Sequence, residues 1–146
     1  MELRREDYTG DIHQKIITSQ ENGRKHIAYN TDGRYEVRHY KLDGNIIKNE
    51  RCCDYLLVND SCKHVYYIEL KGRDISHAVE QIEAGEHLCR DFLKDYISFY
   101  RIVASKTRTH EIHSTKYRHF QQTIGTGRVD GIERLMTRTG MIEEIL

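Results

Sequence analysis

Proline is absent from this chain of 146 residues. Its turns must therefore be built from Gly, Asp and Asn. No apolar run approaches the ~20 residues that cross a bilayer, so no membrane partner is expected. The first residues, Met1-Glu2-Leu3-Arg4-Arg5-Glu6-Asp7, lack the apolar stretch of a secretory signal. A cytoplasmic, reducing location is the expectation, and Asn59-Asp60-Ser61 matches a glycosylation sequon only by chance. The four cysteines, Cys52, Cys53, Cys62 and Cys89, form no C-x-x-C pair, so zinc spacing is missing. Free buried thiols are expected instead, with the adjacent Cys52 and Cys53 facing opposite sides of a strand. Ser98 and Ser105 have no nucleophile elbow around them, and no glycine-rich stretch fits a phosphate loop. The nine histidines form no His-Glu-x-x-His or His-x-x-x-His pair; His110 and His113 alone have i, i+3 spacing.

What is present is polar: 32% charged and 38% hydrophobic residues, with Tyr supplying 10 of the aromatics. The length suits one domain over residues 1–146, long enough to bury about two-thirds of its unfolded surface. Net charge is zero, but the charge is unevenly spread. Arg101, Lys106, Arg108, Lys116, Arg118, Arg128, Arg134 and Arg138 face only Glu111, Asp130 and Glu133 in the same stretch. A basic stretch of this kind suits a polyanionic partner such as nucleic acid, with Arg108, Lys116 and Arg118 the residues expected to contact it.

Along the chain, Ile12, Ile16 and Ile17 have helical spacing within Asp11 to Gln20, ended by Asn22-Gly23. Residues 25–42 alternate around Thr31-Asp32-Gly33 and predict a hairpin. Cys53 to Val58 and Val65 to Lys71 predict two strands joined by a polar turn. A helix is expected from about Asp74, capped by Asp74 or Ser76, with Ile75, Ala78, Val79, Ile82, Cys89, Phe92 and Leu93 on one stripe. Gly85 weakens it by about 1 kcal/mol and predicts a kink or break. Ile97 to Ala104 reads as a strand, and strand–helix–strand order favours a parallel crossover. Thr115 to Ile124 predicts a short helix and Gly125-Thr126-Gly127 a turn. The tail from Gly131 to Leu146 predicts a hairpin or two short elements, and its apolar end, Met141 to Leu146, a surface that packs on a partner.

Asp54, Glu69 and Lys71 carry the chemistry. Glu69 and Lys71 are two apart on an alternating strand and share a face. Charges in an apolar strand are costly unless paired or bound to something. With Asp54 from the neighbouring strand, the set offers two hard carboxylates for a divalent cation and an ammonium beside them. A surface ion pair of Glu69 with Lys71, worth under about 1 kcal/mol, is the plainer alternative.

At these residues the chain resembles the PD-(D/E)XK nuclease superfamily: an Asp on one strand, a short hairpin, Glu-x-Lys on the next strand, then a helix. The similarity covers roughly residues 50–105, with Cys53 where the family name has Pro. It implies an α/β fold of restriction-endonuclease type, a mixed β-sheet core flanked by helices. It implies Mg²⁺, or Mn²⁺ in its place, held by Asp54, Glu69 and the backbone carbonyl of Leu70. Lys71 would orient or deprotonate the attacking water. Gln81 matches a helix Gln found in several branches, but Gly85 stands where those branches often add Tyr. Members often carry a further upstream Glu, and Glu6, Glu21, Glu36 and Glu50 all remain open for that place. The implied activity is phosphodiester hydrolysis by a DNA endonuclease, with a homodimer one way to cut both strands. The alternative is a non-catalytic nucleic-acid-binding or protein-interaction module on the same fold.

Overall fold

Seven strands and one α-helix organise residues 3–70, 75–103 and 140–146, which the computed structural model describes. Lys71, Asp74, the side chain of Ile75, Arg108, Lys116, Arg118, His110, His113, the helix expected at 115–124, the turn at 125–127 and the first part of the tail lie outside the described residues.

The first strand, β1 (Ile16–Glu21), stands where helical spacing predicted a helix. Asn22-Gly23 decides the matter. Both residues have positive φ, 51° and 80°, as a two-residue turn matched to strand twist requires. They fold β1 back on β2 (Arg24–Tyr29) with Glu21 opposite Arg24. The β-branched Ile16-Ile17-Thr18 run suits the extended backbone.

The predicted hairpin of residues 25–42 does not form. Its halves are β2 and β3 (Val37–Lys41), but they belong to different sheets. Thr31–Gly33 makes a 3-10 turn with Asp32 at φ 60°. Asn30 anchors the departure: its side-chain amide donates to the Gln14 and Tyr35 carbonyls and its carbonyl accepts the Tyr35 N–H. The chain therefore leaves β2 at an angle and starts a second sheet.

That sheet continues through β4 (Tyr55–Asn59), β5 (His64–Leu70) and β6 (Ile97–Val103), in the order β3-β4-β5-β6. The β3–β4 and β4–β5 pairs are antiparallel and β5–β6 is parallel. The strand–turn–strand–helix–strand order expected from Cys53 onward is what forms. Every described residue of β4 is buried, which explains its unbroken apolar run: both faces are covered.

One face packs on α1 (Ile75–Cys89) through Leu56, Val58, Tyr67, Ala78, Val79 and Ile82. The other packs on the smaller sheet, whose Ile17, Ala28 and Ile142 meet Leu57, Tyr66, Ile68 and Val103. The smaller sheet is β1-β2-β7, with β7 (Met141–Ile145) parallel to β2. The end of the apolar tail is thus a strand within the chain, with Ile142 buried and Met141 and Ile145 exposed.

Among the described residues the architecture is mixed α/β: two mixed sheets and one α-helix. No described helix is long and apolar enough to cross a membrane.

The helix runs unbroken through Gly85. A Cβ there would sit 2.6 Å from Cys53 Sγ and 3.4 Å from Cys52 Sγ, so the glycine allows close approach of α1 to the chain before β4. Cys52 and Cys53 do not face opposite sides of a strand: they precede β4, and both are buried in the cluster under α1 together with Cys89. Phe92 falls beyond the end of α1 and is 45% exposed, so the apolar stripe closes with Cys89 and Leu93.

Candidate functional site

The β4–β5 register matches Tyr55 with Ile68. Continued by one residue, it puts Asp54 opposite Glu69. By alternation both share the face of Leu56 and Tyr67, which is the face α1 covers. Asp54 is 8% exposed and Glu69 3%. Asp54 Oδ2 accepts the Leu70 N–H at 2.8 Å, which fixes the carboxyl at the end of β5. Its own carbonyl accepts the Leu42 N–H at 2.9 Å, tying the turn after β3 to the same point.

A cleft of about 260 Å³ opens there, lined by Glu21, Asn22, Arg24, Asp43, Asp54, Glu69, Leu70 and Gln81. Both Glu21 and Glu69 carboxyls lie within hydrogen-bonding reach of Asp54. Burial pushes the Asp54 carboxyl up to about 6, and the neighbouring Glu21 adds to the rise while the Leu70 N–H works against it. Gln81 comes from α1. Its Oε1 is buried and accepts no hydrogen bond among the described residues.

The cleft thus gathers Asp54, Glu69, Leu70 and Gln81 of the expected residues. Lys71, next in sequence after Leu70, lies outside those described. Of the four upstream glutamates, Glu21 reaches the cleft. Glu6 is exposed beside Arg4, at 3.4 Å, and Glu36 and Glu50 are exposed outside the cleft lining. Arg24 and Asp43 were not singled out by sequence. The signal for Arg24 and for the placement of Glu21 was the Asn22-Gly23 dipeptide, which fixes both on one hairpin tip.

The donor set suits a hard divalent cation. Carboxylates held together at the end of a sheet, with an amide oxygen left without a donor among the described residues, are oxygen ligands of the type Mg²⁺ and Mn²⁺ take. Among the described residues no three His, Cys, Asp or Glu are grouped so that they could hold a metal ion, which leaves the two carboxylates of Asp54 and Glu69. Mg²⁺ uses one or two carboxylates and fills its other positions with water and substrate phosphate. The thiols offer no competing site: Cys62 and Cys53 sit at opposite ends of β4, and the hydrogen bond with the adjacent Cys52, then burial, raises the Cys53 thiol well above its usual range.

The raised Asp54 carboxyl has a consequence for folding. Between pH ~4, where an unfolded Asp titrates, and about 6, the folded chain holds a proton that the unfolded chain has lost. Stability therefore falls as pH rises through that window. Asp54→Asn keeps an oxygen acceptor for the Leu70 N–H and removes the penalty. It is expected to be more stable than wild type above pH 6, by about 2 kcal/mol in metal-free buffer. Below pH 4 the gain should vanish. Urea melts across pH 4–8 check this, and an equal gain at both ends would place the cause elsewhere.

A second set of buried polar groups lies between the two sheets, away from the cleft. His39 Nε2 meets Ser19 Oγ at 2.8 Å, its Nδ1 meets Thr9 Oγ1, and its ring stacks on Tyr55. Burial, then His26, lowers His39 to about 4, so its imidazole is neutral at ordinary pH. Glu144 accepts from Arg101 Nε at 2.8 Å and meets His26 Nε2 at 2.5 Å. These groups fasten β1, β2 and β7 onto β3 and β6.

Comparison with protein-family models, curated proteins and solved structures finds no match to this chain.

Proposed function

We propose that the cleft at the ends of β4 and β5 is the centre of a divalent-metal-dependent nuclease. The observation that carries it is the pair of buried carboxyls Asp54 and Glu69 lining one cleft, with the exposed Glu21 at its edge and the Gln81 amide in the same lining. Burying like-charged carboxylates together is unfavourable without a cation between them. The order Asp54, then Glu69-Leu70-Lys71, then α1 and β6 supports it further, because it matches the PD-(D/E)XK pattern in element as well as in residue. A restriction-endonuclease-like core is part of the proposal.

In this reading Asp54, Glu69 and the Leu70 carbonyl hold Mg²⁺ or Mn²⁺, with Glu21 beside them. When bound, the cation neutralises charge on the phosphate and on the leaving oxygen. Lys71, as an ammonium, would orient the attacking water and offset charge that develops on the phosphate, while the water's proton passes to solvent. Gln81 holds its amide toward the cleft and positions water or ligand. Helix α1 and the Asp54 strand exclude bulk solvent from one side, which strengthens each of these interactions. Arg108, Lys116 and Arg118 are assigned to the substrate backbone. DNA cut internally is the proposed substrate and reaction.

The test uses circular single-stranded DNA and supercoiled plasmid with Mg²⁺, Mn²⁺ or EDTA. Nicking of circles in either metal, abolished by EDTA, is the expected result. Circles have no ends, so a nick also excludes a pure exonuclease. Tight DNA binding with no cleavage in either metal would instead favour a non-catalytic binding module.

A further inference from the structure

The smaller sheet buries one face on the larger sheet and turns the other outward. Along β1 the side chains alternate, with Ile17 and Ser19 buried and Ile16, Thr18 and Gln20 exposed. By the same alternation Lys25, Ile27 and Tyr29 on β2 and Met141, Glu143 and Ile145 on β7 share the outer face. Five large hydrophobic side chains are exposed among the described residues, and three of them, Ile16, Met141 and Ile145, are on this face. The registers set Ile16 opposite Tyr29 and Tyr29 opposite Ile145. One apolar row therefore crosses all three strands, at the end away from the Asn22-Gly23 turn. Ile16 is 59% exposed and Ile145 73%. The half-buried Ile27 lies in the next row, between Thr18 and Glu143. Beside the apolar row a hollow of about 610 Å³ is lined by Tyr29, Thr31, Glu143, Glu144 and Ile145.

Exposed apolar side chains gathered on one face mark a contact surface, and two features fit this one to a second copy of the chain. The first is symmetry. β1 and β7 flank β2, and each ends the apolar row in an exposed isoleucine. A two-fold axis along β2 exchanges the two flanking strands when two such faces stack about 10 Å apart. Ile16 then meets the second copy's Ile145 beside the hollow, and Tyr29 meets Tyr29. The second feature is charge. Among the described residues the face carries one base, Lys25, and one acid, Glu143, so two copies do not repel as like-charged surfaces would. Lys25 meets its counterpart at the last row, and its long stem lets the ammonium turn aside to the second copy's Glu143, one row away.

We propose that this chain self-associates through the outer face of β1-β2-β7, as a two-fold dimer in which Ile16 of each copy packs on Ile145 of the other. An axis along the strands keeps both Asn22-Gly23 turns at the same end, so the two clefts bordered by these turns open at one end of the dimer. The interface does not depend on the nuclease reading. Three strands about 5 Å apart and about five residues long cover less than the about 800 Å² per partner of a standard interface. The dimer is therefore expected to be weak, half-formed on the order of 10–100 µM.

Sedimentation velocity from about 1 µM to about 1 mM compares wild type with Ile16→Lys, Ile145→Glu and Ile97→Glu. Wild type should pass from monomer to dimer across this range. Ile16→Lys and Ile145→Glu should each raise the dimer Kd at least about tenfold, because each homodimer would bury two introduced charges in an apolar contact. An equimolar mixture of the two should associate again. In the mixed dimer the introduced ammonium faces the introduced carboxylate, and the other side of the axis keeps both isoleucines. Ile97, 46% exposed on β6, lies off this face, so Ile97→Glu should leave Kd unchanged. Circular dichroism and urea midpoints check folding. If either charged variant misfolds, Ile16→Thr and Ile145→Thr keep a β-branched side chain and should still weaken the dimer. Wild type that stays monomeric throughout would overturn the proposal, and a lowered urea midpoint in Ile145→Glu would then show that the face is covered within one chain. A dimer left intact by both charged variants would overturn it by placing the contact elsewhere. Two variants that are monomeric alone and remain so when mixed would overturn the exchange of β1 with β7.

Discussion

Asp54→Ala, Glu69→Ala and Lys71→Ala are each expected to lose at least about 10²-fold in cleavage of circular DNA, as for loss of one electrostatic stabiliser in a buried site. The three should fail for different reasons. The β4–β5 register, continued by one residue, sets Asp54 opposite Glu69, so on the proposed reading removing either one would leave the cation fewer ligands. Higher Mg²⁺ should restore part of their activity. Lys71 is a cation, not a ligand, and extra Mg²⁺ should not rescue its loss. None of the three changes should unfold the chain, since relieving crowded carboxylates offsets the cavity left behind. Asp54→Ala also removes the acceptor of the Leu70 N–H, so Asp54→Asn is the control for that hydrogen bond. Single-turnover rates with a Mg²⁺ titration for each variant make the test. Wild-type rates in Lys71→Ala would remove that lysine from the mechanism, and wild-type rates in both carboxylate variants would remove the centre.

The part of the fold that holds the candidate site was legible because its signals are local. The apolar run of β4, the polar turn at residues 59–64 and the alternation of β5 each identify an element without help from distant residues. Antiparallel pairing across a short turn then places Asp54 and Glu69 on one face by counting alone. Helix α1 was legible for the same reason, through Ala78, Val79 and Ile82. What failed was the choice between competing local signals. Ile12, Ile16 and Ile17 satisfy a helical period, but the Asn22-Gly23 turn and the β-branched run favour a strand, and two strands then pair. The Asp32-Gly33 turn was read as a hairpin because turn chemistry does not reveal whether the flanking strands join one sheet. Glu21 could not be chosen over Glu6, Glu36 and Glu50 until β1 was known to end beside Asp54. Gly85 looked like a weak point of the helix because the thiol beneath it belongs to residue 53, on another element.

The least legible feature is the contact of His26 with Glu144, separated by 118 positions in the chain. It supplies the other large expected effect. Glu144 lies on β7, His26 on β2 and Arg101 on β6, so one carboxylate fastens the smaller sheet to the larger. Arg101 reaches Oε2 at 2.8 Å through Nε and Oε1 at 3.1 Å through Nη2, with its side chain 8% exposed and that of Glu144 14%. The guanidinium also lies 5.2 Å from the Tyr66 ring centre. Burial pulls the Glu144 carboxyl upward, but hydrogen bonds from His26 and Arg101 and the Arg101 charge outweigh it and hold Glu144 at about 2. A carboxylate with a lowered value contributes stability above the ordinary Glu range. That contribution is lost as pH falls from ~4.3 toward about 2. Glu144→Ala leaves the Arg101 charge buried without this partner, a change that costs about 3–5 kcal/mol. Glu144→Gln keeps the shape and should lose less. The gap between wild type and Glu144→Gln in urea midpoint should be widest above pH 5 and close as pH falls toward 2. Hydrogen exchange should show the β7 amides of Glu144→Ala losing protection before those of β4 and β5, because β7 is the strand this carboxylate holds down. A pH-independent gap, or β7 protection unchanged in Glu144→Ala, would show that backbone pairing with β2 and the burial of Ile142 hold the strand without the ion pair.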